Sequence, residues 1–410
     1  MDSSGTQSSV GFDHDVKARL DYAKQDVSNL LQPSQMLTFA EELNDDDYIL
    51  MQLDHNCLNN IEEGHSLYIR GSLNDSLVLC THDKAYDVKE VVVSNTMVIF
   101  ENCLANKENL KPYSEILNKD QPNFIPISKC KGVARKFSYF ELKLTHPRLF
   151  KIKELLNKCE FKGFKLESKE QNDHIKQCTI NNFLEIIPAS ECEILTFLQH
   201  IDACCINGYW RLLDFGFCVE CMGELLQLIE AESWNYENIP IDDAIDKIND
   251  SGELVPPIIL KHLFKLYGTI FQKDSVKYCS LNTRKVCVFF AEMLLRDVGK
   301  FNFNEFMQVW KESVPTNMAP QESYLSGLAI IDKHSSPATI KFFSTKDLPL
   351  DASARFESLF NVKAKWTMDE IKPYIEPICF NGQPVSSLLT RFTRASTGSG
   401  IKLYSSRISK

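Results

Sequence analysis

No stretch of the 410 residues is long and apolar enough to span a bilayer, so no membrane passage is expected. The opening residues, MDSSGTQSSVGFDHD, are polar and acidic, and they lack the basic-then-apolar order of a secretory signal. A phosphate-binding GxxxxGK followed by Ser or Thr is also missing. The nearest fragment, Gly299-Lys300, has no preceding glycine and runs into Phe301. The 14 cysteines follow no disulfide framework. Cys218-x-x-Cys221 is the one CxxC, and no second pair of ligands stands at zinc spacing. It lies in FCVECMGELLQLI, which reads as a helix with buried thiols. Reduced thiols fit a cytosolic or nuclear protein. His65 opens a strand without a nucleophile elbow or triad, and His146, His200, His262 and His334 show no metal spacing. The chain is therefore expected to be no enzyme and to hold no cofactor or metal.

What is present is a folding chain of several domains. The length suggests two to four of them. A hydrophobic content of 44% with 26 Phe supports packed cores. The net charge of -10 excludes a generally basic nucleic-acid coat and leaves room for local basic patches.

Residues 1–46 read as a disordered tail and a helix. Val16, Leu20, Ala23, Val27 and Leu30 fall at helical spacing, and Pro33 ends the run. Residues 47–105 hold short β-branched and aromatic runs (YILMQLD, SLVLCTH, AYDVKEVVV, TMVIF) split by Gly, Asn, Asp and Ser. They predict a small antiparallel, β-barrel-like module with THDKAYD as a hairpin. So thin a core leaves edges and apolar faces for other chains to cover, which marks an assembly module. Residues 106–145 read as a linker that turns helical from Ser128.

Beyond it one pattern recurs: helix, helix, turn, helix, Gly, strand. The instances are assigned to 146–235, 236–345 and 346–410, and they predict three tandem winged helices, an α+β fold class overall. Ser190-x-x-Glu193 and Thr367-x-x-Glu370 are capping boxes that open helices, and Thr179 caps another. In CCINGYWRLLDF the expected helix runs through Ala203, Gly208 turns the chain, and YWRLLDF forms the wing. Tyr209-Trp210 is either a base-stacking platform or core packing, and Arg211 is left with an outward role.

Basic residues concentrate twice. From Lys129 to Lys165 there are eleven Lys or Arg against three Glu, and 381–410 hold five with no acid. The second group, Arg391, Arg394, Lys402, Arg407 and Lys410, falls on the last expected helix and wing. Cations there would neutralise duplex phosphates; the alternative is a solvated tail.

The segments EEGHSLYIRG, VLCTHDKAYDVKEV, ASECEILTFLQHIDACCINGYWRLLDF, KFNFNEFMQVWKESVP, GLAIIDKHSSP and RFESLFNVKAKWTMDEIKPYI, in this order, resemble the Dcc ("defective in sister chromatid cohesion") family. The resemblance runs from about Asp47 to the C-terminus. It implies a nuclear subunit of an alternative, replication factor C-like clamp loader that acts on PCNA at replication forks. It implies partners: the loader's large subunit and a small companion, the catalytic subunit of polymerase epsilon, PCNA indirectly, and double- and single-stranded DNA. The ATPase would belong to other subunits. By position, Leu67, Tyr68, Ile69, Tyr86, Val88 and Val91 would bind partners, and the five C-terminal cations DNA. The alternative function is a winged-helix protein-interaction scaffold without DNA binding.

Overall fold

The computed structural model describes residues 31–101 except 33 and 72–75, and 127–407 except 146, 148, 168–174, 176–177, 251–254, 334, 380–383 and 399. It also describes 103, 111–112 and parts of 18–24. Most of the helix expected before Pro33 lies outside the described residues, as does Lys410.

The chain forms two compact units, one of residues 1–64 with 86–143 and one of 65–85 with 144–410. The elements up to residue 144 are β1 (Leu31–Gln32), β2 (Ser34–Phe39), β3 (Met51–Gln52), α1 (His55–Glu62), β4 (Tyr68–Arg70), β5 (Val78–Cys80), β6 (Ala85–Glu101), β7 (Lys111–Pro112) and β8 (Ile127–Leu144).

In the first unit β8 lies between β2 and β6, and β3 joins β8 further along. Both β2 and β3 run parallel to β8, from Ser34 opposite Ile127 to Phe39 opposite Gly132, and Met51 opposite Phe140. The expected antiparallel barrel is corrected here: part of the pairing is parallel, and among the described residues no closed barrel forms. The expected linker is corrected too, because its end and the predicted helical start at Ser128 are the 18-residue strand β8. Lysines alternating with small residues (Lys129, Cys130, Lys131, Gly132) look like polar linker in sequence. In the sheet they become a strand with Cys130, Gly132 and Ala134 turned inward. Gly132 is required by close approach: a Cβ there would meet the Phe39 and Phe100 rings at 3.1 Å.

In the second unit β4 and β5 form an antiparallel pair. The turn after β5 is closed by Thr81, whose N–H donates to the Lys84 carbonyl and whose hydroxyl donates to Asp83. The predicted THDKAYD turn is thus present. Arg70 donates to the Leu184 carbonyl at 2.9 Å and ties this pair to the helices that follow.

Those helices are α2 (Phe150–Asn157), α3 (Phe164–Glu167), α4 (Ile180–Ile186) and α5 (Glu191–His200), closed by the hairpin β9 (Cys204–Ile206) and β10 (Tyr209–Arg211). Thr179 caps α4, and Ser190 with Glu193 forms the predicted capping box of α5. The hairpin turn is Asn207-Gly208 with φ of 52° and 86°, the pair of left-handed residues a two-residue turn requires. The helix therefore ends before Ala203, and CCI is a strand.

Next come α6 (Phe215–Ala231), β11 (Ile239–Pro240), α7 (Ile241–Asp250), α8 (Pro257–Tyr267), β12 (Gly268–Lys273) and β13 (Val276–Leu281). Then follow α9 (Thr283–Val298), β14 (Lys300–Asn302), α10 (Phe303–Ser313), β15 (Ala329–Asp332) and β16 (Thr339–Phe342). The last group is α11 (Ala352–Val362), β17 (Lys365–Thr367), α12 (Met368–Ile375), α13 (Val385–Phe392), β18 (Thr393–Gly398) and β19 (Ile401–Ser406). Thr367 and Glu370 make the second predicted capping box.

Each of these groups carries the same sheet. A short strand after the first helix pairs with the last strand of the hairpin, giving β11-β13-β12, β14-β16-β15 and β17-β19-β18. The repeats therefore divide the chain differently from the expected 146–235 and 236–345. Residues 215–281 form a repeat of their own, and its hairpin GTIFQKDSVKYCSL has no strong signal in the sequence. Its turn is Asp274-Ser275, with φ of 49° and 68°, in place of the usual Asn-Gly or Asp-Gly signal. One core joins α6 to α10, another fills the group from α2 to β10, and a third fills the last repeat.

Candidate nucleic-acid and partner interfaces

The last repeat holds four of the five candidate cations within the described residues. Helix α13 buries Leu388 and Leu389 and turns Ser386, Ser387, Thr390 and Arg391 outward. The Thr393 hydroxyl donates to the Leu389 carbonyl at 2.6 Å and joins the helix directly to β18.

Register then separates the cations. Arg394 stands opposite Ser405, which stands opposite Lys365, so Lys365 and Arg394 share the outer face of the sheet. Lys402 stands opposite Thr397 on the other face, in line with the buried Tyr404. Its ammonium sits 5.5 Å from the Tyr404 ring centroid. It borders an open depression of 270 Å³ lined by Met368, Ser386, Leu389, Thr390, Thr393, Ala395, Lys402 and Tyr404. Arg407 donates to the carbonyls of Thr390 and Arg391 at 3.1 and 3.4 Å, so it caps the C-terminal end of α13. A cation at that end is favoured by the helix dipole. Arg391 leans on Phe392, 5.2 Å from its ring centroid. Arg391, Arg394 and Lys402 are thus left exposed, Arg407 is committed to a helix end, and the exposed Lys365 joins Arg394 on one face. Lys365 is absent from the sequence-based set because KAKWT reads as the tail of a helix, although the buried Trp366 beside it marks a strand alternation.

The partner candidates divide as well. On β4, Leu67 is half-buried just before the strand, while Tyr68 and Ile69 are 52% and 63% exposed. Val88 and Val91 on β6 are half-buried. Tyr86 is 2% exposed, and its hydroxyl accepts a hydrogen bond from the Asn56 side chain, so its ring is spent inside the fold. Burial also pushes its phenol upward. Other exposed apolar groups of the first unit include Leu37, Phe39, Ile49, Val92 and Phe137. Leu37 and Phe39 share a face with Cys130 and Gly132 by register. Most of these groups lie in segments that the sequence pattern assigns to the tail and linker.

CCINGYWRLLDF is architectural. Trp210 packs on the core of its repeat. The outward role expected for Arg211 is corrected: it is 3% exposed, donates to the carbonyls of Cys159 and Glu160, and pairs with Glu167. Cys218 and Cys221 are buried in α6, where burial raises both thiols to about 12, so they are inert at neutral pH. Among the described residues no helix is long and apolar enough to cross a membrane.

Fold and surfaces define a mixed α+β protein of tandem helix-and-hairpin repeats joined to an open sheet, presenting charged and apolar faces. The chain belongs to the family described as sister chromatid cohesion protein Dcc1, whose model matches residues 48–375. The sister chromatid cohesion protein DCC1 of Xenopus tropicalis is 36% identical over 395 residues, covering 96% of this chain and 97% of that protein. The Homo sapiens protein of the same name is 34% identical over 396 residues, covering 96% and 98%. The Saccharomyces cerevisiae one is 23% identical over 376 residues, covering 85% and 94%.

Proposed function

We propose that this chain is a non-catalytic subunit of an alternative replication factor C-like clamp loader, working in the nucleus in sister chromatid cohesion. Its open sheet assembles with the loader's large subunit and small companion. Its repeats are read as winged helices that meet DNA and the catalytic subunit of polymerase epsilon, with PCNA engaged through the complex. The observation that carries this reading is the apolar exposure of the first unit. Val92 is 77% exposed and Phe39 63%, and a lone sheet keeps such groups in water only at a cost that a partner removes. The family name supports cohesion. The winged-helix reading rests on the strand order, in which the short first strand pairs with the last.

Phe39→Asp with Val92→Asp in the full chain, co-expressed with the two loader subunits, is expected to lose co-purification while keeping the far-UV spectrum of the parent. Retained co-purification overturns the assembly role. For DNA, neutralising Arg391, Arg394 and Lys402 is expected to weaken duplex binding and to flatten its salt dependence by about 0.9 in slope for each phosphate left without its cation. Unchanged binding leaves a protein-only scaffold.

A further inference from the structure

We propose that Cys159 and Cys178 are a redox-responsive pair, which a small hydroperoxide converts to an intramolecular disulfide that ties the end of α2 to the start of α4 and that thiol reductants reopen. The proposal is independent of the clamp-loader reading.

The backbone sets the pair. Cys159 follows α2, and its N–H donates to the Leu156 carbonyl at 3.0 Å. Cys178 stands directly before Thr179, the cap of α4. The two are 19 positions apart in sequence, yet their sulfurs lie 3.1 Å apart. A disulfide bond is about 2.0 Å long, so bonding needs an approach of about 1 Å, within reach of side-chain rotation. Consecutive residues of β10 hold both backbones. The Trp210 N–H donates to the Cys178 carbonyl at 2.7 Å, and the Arg211 guanidinium donates to the Cys159 carbonyl. One strand therefore keeps the thiols facing each other, and the entropy of bringing them together is already spent in folding.

The other buried thiols lack this setting. Burial raises Cys218 and Cys221 to about 12 and Cys204 to about 11. Cys159 goes the other way. The hydrogen bond it shares with Cys178 and the Arg211 guanidinium hold its thiol below the ordinary range, against burial and the Glu167 carboxylate. The same contact pushes Cys178 upward. The pair is thus unequal, with Cys159 as the attacking thiolate and Cys178 as the resolving thiol.

Burial selects the oxidant. Cys159 is 2% exposed and Cys178 1%, in a core with Phe183 and Ile187. A hydroperoxide near the size of water suits so closed a site, and a bulky disulfide such as oxidised glutathione does not. In the first step the Cys159 sulfur attacks a peroxide oxygen. The S–O bond forms, the O–O bond breaks, and the departing hydroxide takes the proton that Cys159 gave up. In the second step the Cys178 sulfur attacks the sulfenic sulfur. The S–S bond forms, the S–O bond breaks, and the second hydroxide takes the Cys178 proton. Two thiols and one hydrogen peroxide give one disulfide and two waters, and the two electrons lost by sulfur reduce the O–O bond. A reducing compartment returns the pair to thiols, so the bond is transient.

The test treats the reduced, native full chain with hydrogen peroxide and maps its peptides without reductant. One cross-linked peptide pair holding Cys159 and Cys178 is expected, lighter by about 2 Da than its reduced halves and reopened by dithiothreitol. Hydrogen exchange in α2 and α4 is expected to slow by about tenfold or more once the loop is closed. In Cys178→Ala, peroxide is expected to leave Cys159 as a sulfenic acid that dimedone labels, whereas Cys178 in Cys159→Ala stays unlabelled. The map of the parent chain decides the matter even if a variant fails to fold. No Cys159–Cys178 cross-link at peroxide levels that oxidise the exposed Cys103 and Cys192 overturns the proposal. A cross-link that forms only in denaturant also overturns it, since the fold would then not be what brings the thiols together. Equal labelling in the two variants overturns the assignment of attacking and resolving thiols. Oxidised glutathione forming the bond as fast as peroxide overturns the choice of oxidant.

Discussion

Arg355→Ala is expected to lower the stability of the last repeat by about 3–5 kcal/mol. Arg355 is completely buried, on α11. Its guanidinium donates to the carbonyls of Tyr374 at 2.5 Å, Leu348 at 3.2 Å, Pro349 at 2.9 Å and Thr345 at 2.9 Å. Burial lowers its pKa to about 10, so it stays charged at neutral pH. Those carbonyls belong to the loop entering the repeat and to α12, so one side chain fastens three segments. Truncation leaves buried acceptors without donors, each costing about 1–3 kcal/mol before any relaxation. Lysine does not rescue, because an ammonium is a single point with three donors and the guanidinium is a fork with five. The check is equilibrium denaturation followed by the fluorescence of Trp366, which is buried in the same core. An unchanged midpoint for that transition would show that the loop is held by other means.

Trp310→Ala is expected to cost a similar 3–5 kcal/mol, by a different route. Trp310 is fully buried, stacks on Phe306 with centroids 5.5 Å apart, and donates its indole N–H to the Cys287 carbonyl at 2.8 Å. The loss is mainly a cavity, and the orphaned carbonyl adds to it. Trp310→Phe keeps most of the volume and is expected to cost about 1–3 kcal/mol, chiefly the unpaired acceptor. Because this core runs from α6 to α10, the alanine variant should lower protection against hydrogen exchange in both α6 and α9. Loss confined to α10 would show that the two repeats unfold separately.

Much of the helical half was legible. The capping boxes at Ser190 and Thr367, the cap at Thr179 and the helices they open depend on neighbours three residues apart, which sequence displays directly. The buried CxxC was legible for the same reason, since Cys218 and Cys221 lie in a long apolar helical run. Strands were harder. The first half of β8 sets Lys129 and Lys131 against Cys130, Gly132 and Ala134, and only its pairing with neighbouring strands shows that the second face is interior. The β12–β13 hairpin turns on Asp274-Ser275, which carries a weaker turn signal than Asn-Gly. Arg211 shows the limit for side chains: beside two aromatics on a strand it looked free, but the carbonyls it serves lie some fifty residues earlier, at Cys159 and Glu160.

Composition and local pattern by themselves determined that this is a folded α+β chain with repeated helix-and-strand units, thiols inside a helix and a basic, acid-free C-terminus. The order of its segments determined the family. Pairing decided the rest. Which strand lies beside which sets the face of every side chain, because a β-strand alternates and a one-residue change of register reverses inside and outside. Register alone put Arg394 and Lys402 on opposite faces and brought Lys365 alongside Arg394.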